Sequence, residues 1–227
     1  MTVPSILTTA RSLAFYSRQQ EVVANNLANA SSEGFKADRM TAQSFDQVWP
    51  EALMSLDLRQ GTVRDTARPW DLALESEGFL VVNTPDGERL TRGGGFEVDQ
   101  AGFLVDRDGN QLLGREGPIH ISGETVVVEQ DGTVIVDDAR AGQLRVETVA
   151  DPSRLVKEGH GRFRAEDPLL AVEQPRIRQG AIEDANVDAL TGTVDLIRIQ
   201  RAYAAGVDAL RTLDGVMSVI TDDVGRV

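Results

Sequence analysis

The sequence predicts an α+β chain: a discontinuous helical coiled-coil unit built from the two ends, with an all-β domain of stacked hairpins inserted between them. Three observations predict it. All eight prolines lie at Pro4 or between Pro50 and Pro175, so neither terminal stretch holds an interior helix breaker. The C-terminal stretch places Leu196, Ile199, Tyr203, Gly206, Leu210, Leu213, Met217, Ile220 and Val224 at alternating spacings of three and four, with eight of these nine apolar. That is the seam of a helix packing lengthwise on another helix. Between the ends, tight-turn pairs separate short β-branched or aromatic runs.

Taken in order, the first helix covers roughly Ser5 to Ala30, with a stripe of Ile6, Leu7, Ala10, Leu13, Ala14, Ala24, Leu27 and Ala28. Small alanines on that stripe would let another helix approach closely. Asn29, Ser31, Ser32 and Gly34 form its stop. Residues 37–68 read as a connector, with a helical turn over Asp46 to Met54 broken by Pro50 and an extended piece from Leu56 to Val63.

From Trp70 the punctuation changes. Pro85-Asp86-Gly87, Gly93-Gly94-Gly95, Gln100-Ala101-Gly102, Asp108-Gly109 and Asp131-Gly132 read as turns. The runs between them read as strands: Phe79 to Val82, Phe103 to Val105, Ile119 to Ile121, Thr125 to Val128 and Thr133 to Val136. The last helix opens at Asn186 or Asp188, either of which can cap it. Unbroken to Val224, it is about 55 Å long. The expected domains are therefore 1–36 with 181–227 (helical assembly), 37–68 (connector) and 69–180 (all-β).

Composition narrows the function. The 227 residues are 41% hydrophobic and 26% charged, ordinary for a globular protein. A formal charge of −13 argues against nucleic acid or an anionic membrane as partner. The Arg154–Arg178 stretch is interrupted by acids and reads as a solvated face. With no cysteine, disulfides and thiolate chemistry are excluded. No cleaved signal peptide and no membrane-inserting span can be placed.

No catalytic, cofactor-binding or metal-ligating set emerges, so the chain reads as a non-enzyme without cofactors. Asp106, Asp108 and Asn110 suggest a calcium loop, but Gly109 falls out of place and no acid closes it, which favours a hairpin turn. Two histidines, His120 and His160, do not make a structural zinc site.

Three blocks resemble the flagellar rod and hook axial proteins of bacteria. The first runs Ala24-Asn25-Asn26-Leu27-Ala28-Asn29-Ala30-Ser31-Ser32-Glu33-Gly34-Phe35-Lys36. The second runs from Asp71-Leu72-Ala73-Leu74 through Gly78-Phe79, Thr91-Arg92 and Gly102-Phe103-Leu104-Val105 to Asp108-Gly109. The third is Gln179-Gly180-Ala181-Ile182-Glu183 with Asn186-Val187, Val194 to Ile197 and Gln200-Arg201-Ala202-Tyr203. The blocks occur in the family's order, and the second resembles the basal-body rod proteins more than the longer hook protein. Compact length favours the proximal-rod type over the distal-rod type. Ala204-Ala205-Gly206 departs from the family's usual acidic residue and Asn.

The resemblance implies a structural subunit that polymerises through its terminal helices into a torque-transmitting tube, with the β domain outside. Implied partners are other copies, neighbouring rod and hook axial proteins, and the flagellar type III export apparatus. The implied location is the basal-body rod crossing the periplasm, reached without a cleaved signal. Asn25, Asn26, Leu27, Asn29, Gly34, Phe35, Asn186, Leu196, Ile199, Gln200, Arg201, Tyr203, Leu210, Leu213, Met217 and Ile220 are the expected subunit-interface residues. The asparagines read either as helix-end caps or as amides bonding across an interface. Arg201 and Tyr203 read as subunit bridges, or as a solvated charge and plain seam. The alternative function is a self-contained dimeric β-domain binding module with a helical stalk, or the distal-rod subunit of the same family.

Overall fold

The computed structural model describes residues 3–45 and 49–224, with side chains over 7–41 and 53–216. The chain divides into two compact units: Met1–Ala28 with Asp38–Ser55 and Asp188–Val227, and Asn29–Ala37 with Leu56–Val187.

In the first unit α1 (Val3–Ala28) and α2 (Ala189–Val224) are the terminal helices. They pack antiparallel, with Leu13 against Gly206 and Leu27 against Gly192. Strands β1 (Asp38–Phe45) and β2 (Trp49–Leu56) form a two-stranded sheet. The helical turn expected over Asp46 to Met54 is thus a strand from Trp49 on. Pro50 cannot donate within a helix and is tolerated on an edge strand. Asp46 to Val48 lie outside the described residues.

Asp188 settles where α2 starts. Its Oδ1 accepts from Leu190 N at 2.9 Å and Thr191 N at 3.3 Å, while Thr191 Oγ1 donates to Oδ2 at 2.7 Å. These bonds satisfy orphan donors of the first turn and hold the Asp188 carboxyl below its ordinary pKa.

The second unit is all β. Strands β3 (Val63–Asp65) and β4 (Leu72–Leu74) precede a central hairpin of β5 (Phe79–Thr84) and β6 (Gly87–Thr91), turned by Pro85-Asp86. Then come β7 (Glu97–Val98), β8 (Leu104–Val105), β9 (Gln111–Gly114) and β10 (Gly117–Pro118). Next is a three-stranded meander of β11 (Val126–Val128), β12 (Thr133–Val136) and β13 (Ala139–Gln143). They are followed by β14 (Val146–Thr148), β15 (Leu155–Gly159), β16 (Arg162–Ala165) and β17 (Leu170–Ala171). The last two, β18 (Ile177–Gln179) and β19 (Ala181–Glu183), return antiparallel to β4 and β3. Along the main sheet the order is β15-β16-β6-β5-β9-β8-β7.

Strand β5 is buried on both faces, which explains its unbroken Phe-Leu-Val-Val run. Leu80 and Val82 join Leu72, Leu112, Val134, Leu144 and Ile177 in one apolar cluster. Phe79 and Val81 join Leu90, Val149 and Phe163 in another.

Three turns share one geometry. Gly102, Gly109 and Gly132 donate back to Asp99 O, Asp106 O and Glu129 O at 3.0, 2.9 and 2.9 Å. Each of these glycines has positive φ, the three-residue hairpin loop with a left-handed glycine. Asp106 is occupied by this turn, its Oδ1 accepting from Asp108 N and Asn110 N.

Other expectations are corrected. Gly93-Gly94-Gly95 is extended chain laid against β4: Gly94 O accepts from Leu72 N, and a Cβ at Gly94 would meet Leu72 O at 2.2 Å. Ile119 to Ile121 form no strand beyond the bridge between Phe103 and His120. The 37–68 connector divides between the units, and 181–187 lies in the β unit because β19 pairs with β3.

Candidate assembly site

The α1 face turned toward α2 keeps Leu13 and Leu27 of the predicted stripe but not its alanines. Thr9, Leu13, Tyr16, Gln20, Val23 and Leu27 are shielded, whereas Leu7, Ala10, Ala14, Ala24 and Ala28 are exposed. Both patterns have helical period; the helix is rotated so that the larger apolar groups are covered, which removes more area from water.

On α2, Ile199 is buried and Leu196, Gly206, Leu210 and Leu213 are half-buried, so the predicted seam faces inward there. Met217 and Ile220 lie outside the residues with described side chains. Tyr203 is at the exposed margin with Gln200 and Arg201. Gly206 earns its place through contact: a Cβ would stand 2.8 Å from Leu13 Cδ2. A second ridge points away from α1, where Leu190 is 76% exposed and Val194, Ile197 and Val216 are 40%, 46% and 50% exposed.

The three asparagines divide their work. Asn26 Nδ2 donates to Asp38 O at 2.8 Å and its Oδ1 accepts from Asp38 N at 2.9 Å, tying α1 to β1. Asn29 O accepts from Ser32 N at 3.0 Å and its Oδ1 from Ser32 Oγ at 3.3 Å, in the turn after the helix. Asn25 is exposed on α1.

Gly34, Phe35 and Asn186 are engaged within the β unit. Gly34 N donates to Glu183 O at 2.7 Å and Asn186 N to Phe35 O at 3.2 Å. Asn186 Oδ1 accepts from Ala37 N at 2.7 Å, while its Nδ2 donates to Asp57 O and Arg59 O at 2.6 and 2.9 Å. The Lys157 ammonium lies 4.4 Å from the centre of the buried Phe35 ring.

The centre of this arrangement was not singled out from sequence. Lys36 and Glu183 side chains are each 1% exposed and meet at 2.5 Å between Nζ and Oε1. Glu183 Oε1 also accepts from Gly61 N at 2.9 Å, and Arg92 Nη1 reaches Oε2 at 3.1 Å. Arg92 further donates to Leu74 O and Ser76 O. Desolvation pushes both Lys36 and Arg92 below their ordinary pKa values, and Glu183 opposes that shift. The available signal was a charged residue inside each of the three motif blocks.

Elsewhere charges pair at the surface. Arg162 bridges Asp106 and Asp108, Arg164 meets Glu158, and Arg178 meets Asp65, so the Arg154–Arg178 stretch is a solvated, ion-paired face. The cleft bordered by Glu33, Arg107, Asp108 and His160 is lined by groups that pair with one another.

Three family models match in register with this layout: "Flagella basal body rod protein" over 6–36, "Flagellar hook protein FlgE/F/G D1 domain" over 73–136 and "Flagellar basal body rod FlgEFG protein C-terminal" over 178–222. The flagellar basal-body rod protein FlgF of Caulobacter vibrioides is 31% identical over 204 residues, covering 82% of this chain and 83% of its own. FlgF of Escherichia coli is 30% identical over 235 residues, with 92% and 90% covered. The chain belongs to the flagellar basal-body rod family. A further relative, the rod protein FlgG of Bacillus subtilis, is 25% identical over 89% of this chain and 92% of its own. As a rod-family protein the chain is a structural component of the flagellar basal body, not an enzyme. Among the described residues no helix is long and apolar enough to cross a membrane. The buried ion pair joins the two terminal matches of the rod family, Lys36 ending one and Glu183 lying five residues past the start of the other.

Proposed function

We propose that this rod-family chain polymerises through the outer faces of α1 and α2, contacting further copies and neighbouring rod and hook axial proteins in a tube that carries torque. The observation that carries the reading is the apolar ridge of Leu190, Val194 and Ile197, which remains exposed after α1 and α2 have covered each other. At about 25 cal/mol per Å2, covering such a ridge is favourable enough to drive association. Opposed faces of one helix pair make a heterologous contact, which grows into a filament unless the rotation closes it. Coiled-coil packing of the terminal helices belongs to that assembled state.

Greater identity to the two FlgF proteins than to FlgG of Bacillus subtilis supports the proximal-rod position. Family membership supports export through the flagellar type III apparatus. Of the sixteen expected interface residues, exposure favours Asn25, Gln200, Arg201 and Tyr203 as contacts with neighbours; Gly34, Phe35 and Asn186 are committed inside the chain.

Light scattering across a concentration series, alone and with neighbouring axial proteins, tests the reading. Open-ended growth that Val194→Asp abolishes is expected. A fixed dimer plateau indifferent to Val194→Asp would support the helical-stalk binding module instead.

A further inference from the structure

The second unit is held by two kinds of contact. Its sheets rest on two apolar clusters. Of the three segments through which the chain enters and leaves the unit, 56–62 packs Leu56 and Leu58 against the second cluster, and the other two add contacts of another kind. Phe35, Ala37, Ala181 and Ile182 are buried, yet none belongs to either cluster. What joins these segments is polar and centred on one residue. The Glu183 carboxylate takes Lys36 Nζ from the first segment and Gly61 N from the second, and its own backbone oxygen takes Gly34 N. Asn186 repeats the pattern, accepting from Ala37 N and donating to Asp57 O and Arg59 O.

A buried carboxylate shared by two cations and an amide is all-or-none in character. Removing its charge leaves Lys36 with only Arg59 O, and Arg92 with only Leu74 O and Ser76 O, so both cations lose their shared counter-charge at once in a dry site. We propose that the Glu183 carboxylate is a latch that joins residues 29–37, 56–62 and 181–187 into one cooperative element, opening and closing as a piece before the apolar clusters come apart. Residues 37 and 187 continue covalently into 38 and 188, so tension drawn along either segment is shared by the others. The latch goes beyond the proposed polymerisation and stands whether or not the helices assemble.

Hydrogen–deuterium exchange of the full chain, read by mass spectrometry in rising urea, tests it. Peptides from 29–37, 56–62 and 181–187 share one opening midpoint, lower than that of peptides from 79–84 and 111–114. Glu183→Gln accelerates exchange in all three segments by on the order of a hundredfold. The 79–84 and 111–114 peptides change by less than about threefold. Acceleration confined to 181–187, or core peptides loosening in step, would overturn the latch. Should Glu183→Gln fail to fold, the wild-type urea series decides: three separate midpoints, or one midpoint shared with the core, would equally overturn it.

Discussion

Asn26 and Asp38 exchange hydrogen bonds in both directions, an amide side chain on α1 reading the backbone donor and acceptor at the start of β1. Asn26→Leu leaves both backbone groups of Asp38 without this partner and should cost about 1–2 kcal/mol. Asn26→Asp keeps the acceptor and loses the donor, so it should fall between. Amide exchange over 38–45 is the readout; equal protection in parent and Asn26→Leu would show that the amide does not hold β1.

Glu183 and Lys36 are unequal partners. Glu183→Gln leaves two buried cations without its charge and should destabilise the closed state of 29–37, 56–62 and 181–187 by about 3–5 kcal/mol. Lys36→Met keeps Arg92 on the carboxylate and fills similar volume, so a smaller loss is expected. Exchange of peptides from those segments in rising urea checks the order; equal and small losses in the two variants would mean that the ion pair is decorative.

The same lysine predicts an unusual pH dependence. Burial lowers the Lys36 pKa, so between that lowered value and 10.5 the unfolded chain binds the proton more tightly than the folded one. Stability then rises with pH across that window, as the penalty for burying the charged form is relieved. Comparing wild type with Lys36→Met isolates the effect: the wild type should gain relative to the variant as pH climbs towards 10.5. A difference that stays flat from neutral pH upward would refute the sign.

Gly34 and Gly109 both have positive φ, at 63° and 82°, but differ in surroundings. A Cβ at Gly34 would lie 2.2 Å from the Arg92 carbonyl carbon, whereas one at Gly109 meets nothing within 4 Å. Gly109→Ala should therefore cost only the left-handed conformation, about 1–2 kcal/mol. Gly34→Ala should prevent the native packing of 29–37 altogether. Thermal melts of the two variants separate backbone conformation from steric exclusion; equal losses would mean that residues 34 and 92 can move apart.

The composition of each element was legible because the signals are local. Proline placement and helical period marked α1 and α2, and the Asp-Gly and Ala-Gly turns marked the hairpins around β8, β9 and β12. Which side of α1 faces α2 was only half legible: Leu13 and Leu27 belong to the predicted stripe, but its alanines are exposed and Tyr16 and Val23 are shielded in their place, a rotation that only packing decided. The strand at Trp49 was missed because Pro50 signals a broken helix and an edge strand alike.

By itself, then, the chain's order of residues determined its α+β class, its terminal helices and its membership in the rod family, because periodicity and turn chemistry act over a few neighbours. Tertiary structure alone decided that Lys36, Gly61, Arg92 and Glu183 converge, since residues up to 147 positions apart carry no mutual local signature. Burial then gives that meeting its energy: a charge is stabilised there only by the partner the fold delivers.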